Sequence, residues 1–256
     1  MNRRAKTHTP RRAAIGVAAV LAAAPAVHAA PIIAELTDAE VNLLATVGDG
    51  DSVAAASRSV GTGVDAIRIG GGGSPATLNI SGVFGFQLPA RPIGQQFTTA
   101  SFSVNLAKDG TPTVFNADLY VLDVRATNTL ISEDAFTGAF NTDPTRATGI
   151  QDNFFVAGAG GTAVGTVATS AAANTAILNH VNALYDNDPT IAGKFIFFRI
   201  SPDVDPPDTT ANRYRVAQSS TATPPTLTLE VPEPGTGLTL VATAALGLRR
   251  SRRRRR

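Results

Sequence analysis

Apolar and polar residues alternate with period two through most of the middle of the chain. In TTASFSVNL (98–106), Phe102, Val104 and Leu106 oppose Ser101, Ser103 and Asn105, the pattern of a strand with one wet face. In TVFNADLYVLDV (113–124), Phe115, Ala117, Leu119 and Val121 form one row, and the Lys108-Asp109-Gly110 turn between the two segments predicts a hairpin. VFGFQL (83–88) places Phe84, Phe86 and Leu88 on one face and stops at Pro89 and Pro92. Further strands are predicted at 64–69 and 76–80, on either side of the glycine run 70–73, and at 212–218 and 226–231. KFIFFRI (194–200) is continuously apolar, as in a buried strand. The period changes at 170–185, where Ile177, Val181 and Leu184 fall at i, i+4 and i+7 and predict a helix ended by 186–189. Residues 125–160 read as a long connection with one short strand at 153–156, and 31–60 carry no clear alternation. About eight short strands, frequent turns and one short helix predict an all-β fold, a two-sheet β-sandwich.

The ends of the 256-residue chain differ from this body. MNRRAKTHTPRR is basic, AAIGVAAVLAAA (13–24) is apolar, and Val27 and Ala29 occupy the −3 and −1 positions of a signal-peptide cleavage site after Ala29. The last 26 residues, VPEPGTGLTLVATAALGLRRSRRRRR, join a Pro-Glu-Pro turn, an apolar stretch and seven arginines. Three parts follow: a signal peptide at 1–29, an exported β domain at 30–230, and a sorting or anchor segment with an apolar helix at 231–256. The formal net charge of +2 conceals this division. Five basic residues precede position 30 and seven follow position 231, which leaves 10 basic and 19 acidic residues between. An acidic body repels phosphate, so nucleic acid is excluded as a partner. With no cysteine, disulfides and thiolate metal sites are excluded as well.

Two resemblances add to this reading. The Asp-Ala-x-Arg strand beginning at Asp65, the strand GVFGFQLP, the pair ending in LYVLDV, the helix near 180, KFIFFRI, and the closing Pro224, Pro225, Leu227, Leu229 and Val231 together resemble the DNRLRE-type jelly-roll domains of bacterial surface proteins. That resemblance spans 64–231 and implies a jelly-roll-like sandwich, although the tryptophan usual in the middle of the pattern is absent. The tail is similar to the PEP-CTERM sorting signal, with Pro232, Glu233 and Pro234 as the sorting motif and Arg249, Arg250, Arg252 and Arg253 as the membrane stop. It departs from the usual pattern at Gly235, where Ser or Ala is common. The resemblance implies a Gram-negative-type bacterium, an exosortase-like membrane protease as partner, transient residence in the inner membrane, and association with biofilm or extracellular polysaccharide. As a helix, the uncharged residues 235–248 extend about 21 Å against a hydrocarbon thickness of about 30 Å, short for a permanent span. Arginines beyond it would stay on the cytoplasmic side while the body is exported to the cell surface or beyond.

Candidate chemistry in the body is sparse. The mature chain has one histidine, His180, inside the predicted helix, and no Gly-x-Ser-x-Gly elbow. The run 70–73 has no following helix and no Lys-Ser/Thr, so it is a loop and not a phosphate cradle. Asp49 with Asp51, Asp186 with Asp188, and Asp203, Asp205 and Asp208 are oxygen-rich turn segments suited to Ca²⁺, the last set being the best candidate, though none follows the EF-hand pattern. Sugar sites use planar stacking platforms, and the chain offers no Trp and three tyrosines, Tyr120, Tyr185 and Tyr214. The expectation is a non-enzymatic structural or adhesive surface protein. A carbohydrate-binding module is the second reading and a secreted glycan hydrolase the third, which would require two carboxyl groups flanking a cleft.

Overall fold

The computed structural model describes residues 32–33, 36–44, 56–59, 66–71, 78–108, 114–131, 134–143, 147–204, 213–217 and 224–231. The signal-peptide segment, the tail from Pro232 onward, and Asp49, Asp51, Asp205 and Asp208 lie outside the described residues. In chain order the strands are β1 (Ile32–Ile33), β2 (Leu36–Leu44), β3 (Ala56–Ser59), β4 (Ala66–Gly71), β5 (Leu78–Gln87), β6 (Thr99–Lys108), β7 (Ala117–Arg125), β8 (Thr148–Phe155) and β9 (Gly165–Ala168). The helix α1 (Ala171–Asn187) precedes β10 (Phe195–Pro202), β11 (Arg213–Ala217) and β12 (Thr226–Glu230). They form one antiparallel sheet in the order β1-β12-β6-β11-β4-β5-β10-β7-β8, with β2 and β3 attached beside β5 and β9 beside β6.

The sheet curls on itself, and its inward rows meet in a core rich in aromatic rings. Phe102 of β6 stacks on Phe198 of β10, with centroids 5.0 Å apart and planes at 6°, and meets Phe86 of β5 edge-on at 6.0 Å. Those contacts join strands that share no hydrogen-bonded ladder, so they cross the interior. Ile67, Ile69, Leu119, Val121, Tyr214 and Leu229 fill the same core. The helix seals one side with Ala173, Ile177, Val181 and Tyr185. Its first turn is capped by Ser170 Oγ, which accepts from Ala173 N–H at 3.3 Å. Further along it, Asn182 donates to Phe97 O and accepts from Phe97 N–H, both at 3.0 Å.

The hairpin expected between 98–106 and 113–124 is not formed. β6 pairs with β9, β11 and β12, whereas β7 pairs with β10 and β8. Both strands carry an inward apolar row, and these rows face the common core from opposing parts of the curled sheet, where a hairpin would set them side by side. The two strands expected at 76–80 and 83–88 are one ten-residue strand, β5. Within it, a Cβ at Gly82 would lie 3.0 Å from Ile67 Cγ2 and 3.1 Å from Ile69 Cγ1, so glycine relieves a tight contact with the side chains of β4. Strands β1, β2, β3 and β9 were not legible from periodicity, and β8 begins at Thr148, five residues before the expected 153.

The connection after β7 covers the sheet's outer face. Val83, Leu122, Leu130, Ala135 and Phe197 make a second apolar cluster beneath it. Arg199, fully buried on β10, pairs with the Asp143 carboxylate, donates from Nη1 to Asp134 O at 3.1 Å, and lies 4.6 Å above the Tyr120 ring. Arg125 pairs in turn with Asp134. No described helix is long and apolar enough to cross a membrane.

Candidate functional site

Covering that outer face also buries a carboxylate. Asp118 belongs to the polar row of β7, between the core residues Ala117 and Leu119, and it is 0% exposed. Opposite it, β8 breaks register: Ala117 pairs with Phe155 and Leu119 with Gln151, so Asp152, Asn153 and Phe154 together oppose Asp118 alone. Asn153 adopts φ +52°, in the left-handed region that Asn tolerates better than most residues. The distortion turns the Asn153 N–H toward Asp118 Oδ1 at 2.8 Å, while Asn153 Nδ2 donates to Asp152 Oδ1 at 2.8 Å.

The third carboxylate comes from the end of β10. Pro202 pairs with Ala117, and the next residue, Asp203, donates its N–H to Asn116 O at 3.1 Å. Asn116 Oδ1 accepts from Ala157 N–H at 2.8 Å, which ties the segment after β8 to the same point. Asp118 Oδ2 and Asp203 Oδ1 are both buried and have no hydrogen-bond partner. Burial pushes the Asp118 carboxyl up to about 7; the Asn153 N–H opposes this, and the negative charges of Asp152 and Asp203 add to it. Asp203 is raised as well, again chiefly by burial. Tyr120, two residues along the row, is raised by burial first and by Asp118 second.

A raised carboxyl among other acidic residues is also the electrostatic signature of a glycosidic acid. That role requires contact with a substrate, and the Asp118 side chain is sealed from solvent. His180 is half-buried on α1, and desolvation lowers its pKa against the opposing charge of Asp123.

Of the candidate calcium segments, Asp186 and Asp188 are taken up by cations. Asp186 pairs with Arg91 at 2.7 Å, and Asp188 pairs with Lys194 at 2.6 Å and accepts from Thr190. Asp203 is the member of the 203–208 set within the described residues, and it faces β7 and β8. Among the described residues no three His, Cys, Asp or Glu side chains are grouped to hold a metal ion. Asp118 and Asp152 lay outside the sequence reading because their partnership crosses two strands and no Asp-x-Asp spacing announces it. The weak local signal is the Asp152-Asn153 pair at the start of the short strand expected at 153–156, just before Phe154 and Phe155.

No protein-family model matches the chain, and no curated protein matches it.

Proposed function

We propose that the protein is an exported, surface-sorted, non-enzymatic β-sandwich of the jelly-roll kind, with a structural or adhesive role in the cell envelope or extracellular matrix. The observation that carries this reading is the three-part tail and its place next to the fold. β12 ends at Glu230, whose carbonyl accepts from Thr98 N–H at 2.8 Å and whose carboxylate accepts from Thr99 Oγ1 at 2.8 Å. Val231 still packs on the core, and Pro232 follows at once. A protease acting at Pro232, Glu233 and Pro234 would cut beyond the last strand and leave the sheet intact.

The carbohydrate-binding alternative is disfavoured by the aromatic residues. Ten of the twelve Phe and all three Tyr are buried, Phe140 and Phe195 are half-buried, and there is no Trp, so the described surface offers few rings for the stacking platform of a sugar site. The hydrolase alternative is disfavoured by the burial of Asp118. In cells that hold an exosortase-like protease, the wild-type chain is expected in the surface fraction. Replacement of Pro232, Glu233 and Pro234 by alanine is expected to retain it at the inner membrane. Equal surface delivery of both proteins would defeat the sorting reading, and firm retention on a polysaccharide column would favour the carbohydrate-binding one.

A further inference from the structure

The geometry points to a calcium site in which Asp118 Oδ2 and Asp203 Oδ1 are the carboxylate ligands and Asp152 adds negative charge from the β8 bulge. Two independent observations meet there. One is the placement of Asp203 beside the start of β7, fixed by the pairing of Pro202 with Ala117 and by the Asp203 N–H bond to Asn116 O, with Asp152 on the facing bulge of β8. The other is the pair of buried, unpartnered carboxylate oxygens, one on a residue with no exposure at all. Folded proteins rarely leave such oxygens unsatisfied, because desolvating an anion without a donor or a cation is costly. The bulge supplies one donor, the Asn153 N–H, and it goes to Oδ1, so Oδ2 is left over.

The ligand chemistry selects the ion. Every candidate ligand atom is oxygen, and the charged groups that act most strongly on Asp118 are Asp152 and Asp203, both carboxylates. That is the environment of a hard cation, and calcium accepts the irregular, partly carbonyl and partly water coordination that two carboxylates leave open. The shell does not require a three-carboxylate cage, and it does not draw on the 205–208 loop. Bound there, calcium would join the start of β7 to the end of β10 and to the bulge of β8. This inference does not depend on surface sorting. Extracellular modules with few charged ligands bind calcium at about 10⁻⁴–10⁻³ M, so the site would be weak and would fill only at comparable free calcium.

The test uses the purified full chain, stripped with EGTA and held at pH 8. Added CaCl₂ at about ten times the dissociation constant is expected to raise Tm by several degrees, as ligand binding to the native state alone requires. Tb³⁺ should bind in competition with Ca²⁺. D118N keeps the acceptor for Asn153 N–H, and D203N keeps the side-chain shape; each should remain folded by circular dichroism and lose at least tenfold in calcium affinity by calorimetry. No Tm shift and no Tb³⁺ competition in the wild type would overturn the proposal, and so would undiminished binding in both variants.

Discussion

Asp118 owes its raised pKa to a location that the polar row of β7 does not reveal. Alternation placed Asp118 opposite Leu119 correctly, but periodicity reports the face and not whether that face is covered. The covering segment comes from 126–143, where Asp, Asn, Thr and Gly conceal the few apolar anchors Leu130, Ala135 and Phe136. In metal-free protein the consequence is a pH dependence of definite sign. A carboxyl at about 7 in the fold and near 3.9 in the unfolded chain favours the fold fully below pH 3.9, and that contribution is lost as pH rises through 7. Wild type should therefore lose stability relative to D118N between pH 4 and pH 8, measured by urea denaturation in EGTA. His180 has the opposite sign, favouring the fold above its unfolded value and losing that contribution in acid, but it is common to both proteins and cancels in the difference. A pH-independent difference would contradict the buried-carboxyl account. The bulge makes a second prediction. N153A should cost about 1–2 kcal/mol because alanine disfavours φ +52°, whereas N153G should retain the backbone and cost less; equal losses would show that the left-handed conformation is not what Asn153 provides.

Among the elements, those with one dry face were legible and those defined by their neighbours were not. β5, β6, β10, β12 and α1 announce themselves through Phe84 and Phe86, Phe102 and Val104, the run Phe195 to Ile200, Leu227 and Leu229, and Ile177 and Val181. β2 is a strand because nine of its residues pair along β5, and β9 because four pair with β6, relations that no local window contains. The hairpin expectation failed for the same reason: a turn signal fixes a reversal of the chain but not which layer receives the next strand. Two substitutions probe the element contacts. G82A should destabilise by about 1–2 kcal/mol, since its methyl group must displace Ile67 and Ile69. R199A should cost about 3–5 kcal/mol by removing the buried guanidinium from Asp143. It should also open 134–143 to proteolysis before the rest of the sheet. The double variant R199M/D143N should cost less than the sum of its single changes, because the unpaired charge is then gone.

For the molecule as a whole, an acidic, cysteine-free β domain carries strongly basic ends, and the proposed function assigns those ends to export and sorting. The described residues end with β12 and Val231, just before the Pro-Glu-Pro sequence, so the proposed processing site lies beyond the described fold. Within the domain, aromatic side chains fill the interior, and the Arg199–Asp143 and Arg125–Asp134 pairs fix the cover. The most direct test is the intact mass of the protein recovered from the cell surface. The account predicts a species that has lost residues 1–29 and the arginine cluster from Arg249 to Arg256. A soluble surface protein that still carries all seven of those arginines would contradict it.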